Sequence, residues 1–404
     1  MKDSRYIITD YNKGILSCEI NDNRLQNISV SYRNAGGCIG DIYVAKVLNV
    51  LNNLNAAFIY YQQGEKGYLP LNNGYTPILL NRKYDGRLIA GDEIIVQLDK
   101  EAIRTKEPVF TMNLSLSGRY CVITNANTRK SVSNKISKQY KEILLNEITQ
   151  DTDYGVIIRT NAESLILKEQ LIILHNECEQ LIKQMDNLLQ NGIHRTCYSL
   201  LWHAPEEYLT ELRDMHDLEY QSIITDNSEI YEQLKGLFQT YFPDKQSILT
   251  LYQDDSYSLS KLHGLETKVN ELLGNKVWLK SGAYLVIEQT EAMYVIDVNS
   301  GKNITKKSNP EYILSINIEA AHEIIRQIIL RNLSGIIIVD FINMDDNSMS
   351  DMLMQELRKL AKQDKILTTI VDMTPLGLVE ITRKKTKRSF KEQLKSITGT
   401  TISK

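Results

Sequence analysis

Two apolar runs in the last third of the chain each end on an aspartate: "AMYVID", closing on Asp297, and "GIIIVD", closing on Asp340. Between them lies "PEYILSINIEAAHEIIRQIILRN", whose apolar residues recur at helical spacing. A strand, a long helix and a second strand form a crossover, and neighbouring strands joined in this way run parallel. Both acids then fall at one edge of one sheet, the carboxyl edge, where open α/β sheets bind ligands. The flanking segments keep the rhythm. "AYLVIEQT" reads as a strand paired with "AMYVIDVNS", and "SDMLMQELRKLAKQD" as a helix. "ILTTIVDM" reads as a strand, and "LVEITRKKTKRSFKEQLKSI" as a basic helix.

Two carboxylates side by side repel unless a cation lies between them. Mg²⁺ suits such a pair, because it takes one or two carboxylates, keeps several waters and leaves room for phosphate oxygens. Asn299, two residues beyond Asp297, shares its strand face and could hold a water or a phosphate oxygen without adding charge. Asp and Asn also terminate strands and cap helices. The pattern by itself leaves both readings open.

The rest of the chain differs in character. "RYIITDY", "GILSCEI" and "RLQNISVSY" read as short strands, and five more strand signals follow between Gly36 and Ser117. Such a series fits a small barrel of the oligonucleotide-binding type. Within it, "NAAFIYYQQGEKGYLPL" places Phe58 and Tyr68 on either side of a hairpin. They are either barrel core or an exposed stacking platform, with Lys106 as a candidate phosphate contact. "VSNKISKQYKEILLNEI" has helical spacing, "DYGVIIRTNA" is a strand running into a helix start, and residues 162–190 predict one long amphipathic helix closed by Asn191-Gly192. A shorter helix is expected over "SLSKLHGLETKVNELLG".

At 404 residues the chain exceeds one ordinary domain, and 42% hydrophobic with 24% charged residues is ample for packed cores. The net charge of −3 excludes a global pull toward polyanions, so a nucleic-acid site needs local clusters. The clearest is "TRKKTKR", with Arg383, Lys384, Lys385, Lys387 and Arg388; such a run also serves as a solvated face. Arg159 and Thr160, just past "VII", offer an anion pocket or a surface ion pair. The five cysteines include no CxxC pair, which argues against a disulfide framework and against a structural zinc from nearby ligands. "MKDSRYIITD" is polar and no apolar run approaches a membrane span, so a reducing cytoplasm is the expected compartment.

In order along nearly the whole chain, these segments resemble the catalytic half of the bacterial ribonuclease E/G family. "NAAFIYYQQGEKGYLPL" is similar to its S1 RNA-binding segment and "DYGVIIRTNA" to its 5′-phosphate-sensing segment. "EQTEAMYVIDVNSGK", "INIEAAHEIIRQIILRNLSGIIIVDFINM" and "MTPLGLVEITRKKTKRS" are similar to its stretches around the active site. The resemblance implies an α+β and α/β multidomain fold. An RNase H-like region (1–35 and 215–278) would be split by an S1 barrel (36–118) and a 5′-sensor region (119–214), with a DNase I-like catalytic region at 279–404.

It also implies a magnesium-dependent endoribonuclease of RNA processing or decay, with Mn²⁺ as an alternative ion, which cuts single-stranded RNA to leave 5′-phosphate and 3′-hydroxyl ends. Asp297 and Asp340 would hold the metal, and Asn299 would position the attacking water or the scissile phosphate. Val122, Arg159 and Thr160 would read a 5′-monophosphate, while Phe58, Tyr68 and Lys106 would grip RNA.

Four departures accompany the resemblance. No CPxC-type zinc-link pair follows the basic stretch and no counterpart of the family's small C-terminal oligomerisation domain is expected, so no structural zinc is expected and a homodimer is favoured over a zinc-linked tetramer. Asn343 replaces an acid in "DFINM", with Asp345 and Asp346 close by. Pro375 stands where the family often has Arg. The alternative expectation is an RNA-binding homologue that cuts weakly or not at all; a metal-dependent DNase or phosphatase on a similar sheet ranks behind both.

Overall fold

The computed structural model describes residues 3–32, 37–71, 75–102, 106–148, 152–254, 256–301, 309–344 and 346–398. The chain forms two compact units, one of Met1–Arg33 with Glu219–Lys404 and one of Asn34–Leu218.

The first unit begins with an antiparallel meander of β1 (Ser4–Tyr11), β2 (Gly14–Asn21) and β3 (Arg24–Tyr32). Its turns use Asn12, Asp22 and Asn23 at positive φ, which Asn and Asp tolerate because their short side chains bond locally.

The second unit opens with β4 (Ile42–Leu51), β5 (Ala56–Gln62), β6 (Glu65–Pro70), β7 (Glu93–Lys100) and β8 (Val109–Thr111). These pair in the order β4-β5-β6-β8-β7, and β7 returns to β4, so the five strands close into a barrel. Alternate residues fill it: Ala57, Ile59, Tyr61 and Leu69 lie in its core with Val96, Leu98 and Phe110. A second sheet follows, built from β9 (Ser115–Ser117), β10 (Cys121–Thr124), β11 (Lys130–Val132) and β12 (Gly155–Ile158) in the order β11-β12-β10-β9. Around it lie α1 (Lys138–Glu147), α2 (Glu163–Leu167) and α3 (Leu171–Gly192); then come β13 (Leu200–Trp202) and α4 (Glu207–Asp214).

The single helix expected over 162–190 is thus two helices, because Glu169 between them takes φ 54, a left-handed conformation that no helix continues through. Two strands fall on the other side of the expected boundaries. β9 joins the second sheet rather than the barrel, and β13 pairs with β4 at the barrel edge. Buried Asp41 fastens that edge: it accepts hydrogen bonds from Cys38 N, Tyr43 Oη and Ala204 N, and its Oδ1 lies 3.0 Å from His203 Nδ1.

The chain then re-enters the first unit. β14 (Ser222–Thr225) and β15 (Leu249–Leu251) add in parallel to β1, giving the order β15-β14-β1-β2-β3, with α5 (Ser228–Tyr241) between them. α6 (Leu259–Leu262) and α7 (Leu265–Leu273) are interrupted at Gly264. The remaining elements are β16 (Lys276–Trp278), β17 (Tyr284–Gln289), β18 (Met293–Asn299), α8 (Pro310–Leu330), β19 (Gly335–Asp340), α9 (Asn347–Ala361), β20 (Thr368–Met373), β21 (Leu378–Arg383) and α10 (Phe390–Thr398). Their sheet runs β16-β17-β18-β19-β21-β20, so β16 belongs here and not to the preceding region as expected. One face of the sheet, with Ile287, Ile296, Ile337, Val339 and Ile381, is buried in one core with Ile324 and Ile328 of α8 and Leu353 and Leu357 of α9. Among the described residues, no helix is long and apolar enough to cross a membrane.

The basic helix expected from 378 onward is half strand. Val379, Ile381 and Arg383 alternate inward, as a strand requires. Helix α10 starts only at Phe390, behind a capping box in which Ser389 N and Oγ both donate to Glu392 and Glu392 N donates to Ser389 Oγ.

Candidate active site

β18 and β19 pair in parallel with Met293 opposite Ile336, so Asp297 lies directly opposite Asp340. Directly paired residues project from the same face. On β18 that face alternates with buried Tyr294, Ile296 and Val298, and both aspartates are exposed. Asn299 follows on the same face, and its Nδ2 donates to Asp297 Oδ2 at 2.6 Å. The sequence places three oxygen-bearing groups in one neighbourhood, and the sheet register supplies the alignment.

Two loops frame this edge. After β19, Ile342 N donates to Asn317 Oδ1 at 3.1 Å and Asn317 Nδ2 donates to Ile342 O at 2.8 Å. Asn317 is fully buried on α8, so the crossover helix fixes the backbone that leaves Asp340. Asn343 comes next and is exposed beside the turn at Gly377. Asp345 lies outside the described residues. Asp346 is the N-cap of α9 and accepts from Ser348 N, an interaction that holds its carboxyl below the ordinary value, so it serves the helix. Pro375 is exposed in the loop before β21, whose Leu378 pairs with Asp340.

The basic stretch divides. Arg383 is 4% exposed and is removed from the candidate RNA contacts. It faces the core side of β21, where Nε donates to Asp364 Oδ2 at 2.7 Å and Nη1 to Asn332 Oδ1 at 2.6 Å and to Leu333 O. Burial pushes the Asp364 carboxyl up, but Arg383, Thr368 and the amide of Ile366 outweigh it and hold the group below its ordinary value. Lys384 and Lys385 are exposed, and Lys387 and Arg388 are half-buried. The backbone of the last two is held by Asn332 Nδ2, which donates to Arg388 O at 2.8 Å.

In the second unit, Phe58 and Tyr68 are direct partners on β5 and β6, with ring centroids 5.9 Å apart in edge-to-face contact. Both are half-buried on the face opposite Ala57, Ile59 and Leu69, so they lie outside the barrel core. Lys106 is exposed.

Val122 is half-buried on β10 and pairs with Ile157 of β12. Arg159 follows β12 and forms a two-pronged pair with Asp214, Nη1 to Oδ1 at 2.8 Å and Nη2 to Oδ2 at 2.7 Å, while Nη1 also donates to Gly118 O. Arg213 Nε adds a bond to the same carboxylate. Burial would raise the Asp214 carboxyl; the two guanidinium groups bring it below the ordinary value. Thr160 Oγ1 lies 3.0 Å from Ser133 Oγ.

Two positioning groups of the second unit were missed in the sequence. Buried Glu177 of α3 accepts from Arg119 N, Tyr120 N and Cys121 N at 2.8, 2.7 and 3.0 Å and so anchors the chain leading to Val122. At Gly118 an added Cβ would meet the Glu177 carboxylate, so a larger residue there would have to displace that anchor. Asp214 is the other. The available signal was a glutamate on the apolar stripe of α3, between Leu174 and Leu181.

Residues 115–386 match the sequence model of the Ribonuclease E/G family. The chain is 33% identical to Ribonuclease E of Synechocystis sp. over 86% of its own length, and it spans about half (52%) of that relative. It is 32% identical to Ribonuclease E of Nostoc sp. over 86% of itself and 51% of the relative. Against Ribonuclease G of Escherichia coli K12 it is 30% identical over 92% of itself and 77% of the relative. The chain belongs to the ribonuclease E/G family.

Proposed function

We propose that the protein is a divalent-metal-dependent endoribonuclease for single-stranded RNA, acting in RNA processing or decay. The observation that carries this reading is the pairing of Asp297 with Asp340 in one register, within a chain of the ribonuclease E/G family. Its donor set is all oxygen, which fits a hard ion such as Mg²⁺ or Mn²⁺. When bound, that ion would activate water and offset charge on the phosphate oxygens.

The residues divide the remaining work. Asp297 and Asp340 hold the ion from one sheet edge. Asn299, through the hydrogen bond its Nδ2 donates to Asp297, fixes that carboxylate and orients the water or the phosphate. Asn317 keeps the exit of β19 in place. Hydrolysis leaving a 5′-phosphate and a 3′-hydroxyl is the chemistry expected of such a site. The sheet order β15-β14-β1-β2-β3 supports the RNase H-like assignment, and the closed barrel with Phe58 and Tyr68 outside its core supports an S1-type RNA grip. Val122, Arg159 and Thr160 would recognise a 5′-monophosphate and raise the rate on such ends.

Asn343, standing where the family resemblance expects an acid, favours a second reading, an RNA-binding homologue with weak cleavage. A fluorogenic single-stranded RNA, assayed with Mg²⁺ and then with EDTA, decides between them. Cleavage should vanish in EDTA and fall at least 100-fold in Asp297→Asn and Asp340→Asn, while RNA binding persists. Wild-type rates in either variant would remove the metal-site assignment.

A further inference from the structure

We infer that Trp278 and Tyr284 form a nucleobase-stacking subsite on the open face of the catalytic sheet, with Lys276 as its phosphate contact. The ligand, single-stranded RNA, rests on the ribonuclease reading above; the subsite itself rests on register and exposure.

β16 pairs with β17 so that Lys276 lies opposite Val286 and Trp278 opposite Tyr284. β17 pairs with β18 so that Val286 lies opposite Asp297 and Tyr284 opposite Asn299. Two rows therefore cross the sheet on one face, Lys276–Val286–Asp297–Asp340 and Trp278–Tyr284–Asn299. Each aromatic residue is thus in line with the asparagine beside the metal carboxylates. With strands spaced about 4.8 Å apart, Lys276 and Trp278 stand about 10 Å from the β18 backbone. That offset suits a nucleotide flanking the scissile phosphate.

The side chains are arranged for such a guest. Val277 packs toward the core, and Lys276 and Trp278 turn the other way; Trp278 is 64% exposed. The indole and the Tyr284 ring lie 5.1 Å apart, tilted by 58°, with Lys276 Nζ 4.1 Å from the first centroid and 3.6 Å from the second. The ammonium is held over the rings by their electron-rich faces while its remaining donors stay available to phosphate oxygens. An exposed indole stacks any base through its π-face. A cation and two rings set in register with the metal acids therefore make a site that takes a base and a phosphate together.

The test uses the full chain, whose only other tryptophan is Trp202. In Trp202→Phe, with EDTA present to prevent cleavage, titration with a short single-stranded RNA should quench the Trp278 emission. A labelled copy of the RNA should report binding by anisotropy over the same range. In Mg²⁺, Trp278→Ala should raise KM about 5- to 150-fold with little change in kcat, the range that base–aromatic stacking gives. Trp278→Phe should recover most of the loss. Lys276→Gln should lower the salt dependence of binding by about one phosphate contact. Thermal unfolding of Trp278→Ala should match wild type, because the ring is exposed. RNA bound without any change in Trp278 emission, or an unchanged KM in Trp278→Ala, overturns the subsite. A wild-type protein that cuts no RNA overturns the ribonuclease reading instead, and the emission titration still decides the stacking.

Discussion

Gly301 shows how little room the chain leaves behind Asn299. It takes φ 69, and a Cβ there would lie 2.4 Å from Gly282 O, a backbone atom with no rotamer to yield. Gly301→Ala should therefore shift the end of β18, and with it the amide that Asn299 donates to Asp297. We expect a loss of about 1–3 kcal/mol in stability, the usual cost of a strained backbone, and a fall in cleavage rate larger than that loss explains. Urea unfolding together with cleavage kinetics reads both; wild-type values in each would mean that the backbone relaxes freely. The aspartates themselves were legible, since a carboxylate closing an apolar run is visible in one dimension. Asn317, Glu177 and Asp214 were not. Each acts on backbone or side chains 25 to 58 residues away, and no local pattern records that.

At the scale of elements, the βαβ frame followed from apolar periodicity, because helix and strand repeats differ and the runs are long. The misreadings came where polar residues dominate. In "LVEITRKKTKRSFKEQ" the lysines hide a strand of six residues and the capping box that starts the true helix. What keeps β21 a strand at its end is the buried Arg383–Asp364 pair, with each side chain 3% exposed. Asp364→Asn should cost about 3–5 kcal/mol, the usual penalty for leaving a buried charge without its partner. The pH dependence follows from the direction of the shift. Since the folded carboxyl is held below its ordinary value of 3.8, its contribution is complete above that value and is lost as the pH falls through the lower folded value. The stability gap between wild type and Asp364→Asn should be flat near neutrality and close in acid. Denaturant unfolding across the pH range measures it, and a gap that widens in acid would reverse the assignment.

At the scale of the whole molecule, the two candidate sites belong to different units: Asp297, Asn299 and Asp340 to one, and Val122, Arg159 and Thr160 to the other. That division predicts how a 5′-monophosphate would act. Arg159 sits in the second unit with its Nη1–Nη2 edge held by Asp214, so a phosphate there meets a pre-oriented guanidinium through the N–H groups that remain. If one RNA engages both sites, holding its 5′ end raises the effective concentration of its downstream segment. Such tethering changes binding and leaves the chemical step alone, so the stimulation should appear in KM, with kcat nearly constant. Charge-assisted bonds of about 1.5–3 kcal/mol correspond to a KM advantage of roughly 10- to 150-fold for 5′-monophosphate over 5′-hydroxyl RNA. Arg159→Ala should erase it. Arg159→Lys should erase most of it, because an ammonium lacks the planar fork that Asp214 aligns. Steady-state cleavage of otherwise identical RNAs bearing 5′-monophosphate, 5′-triphosphate or 5′-hydroxyl ends makes the comparison. If the advantage appears in kcat, the 5′ end alters the catalytic edge itself and tethering is the wrong account; if all three ends give one KM, Arg159 serves only to hold Asp214 in the fold.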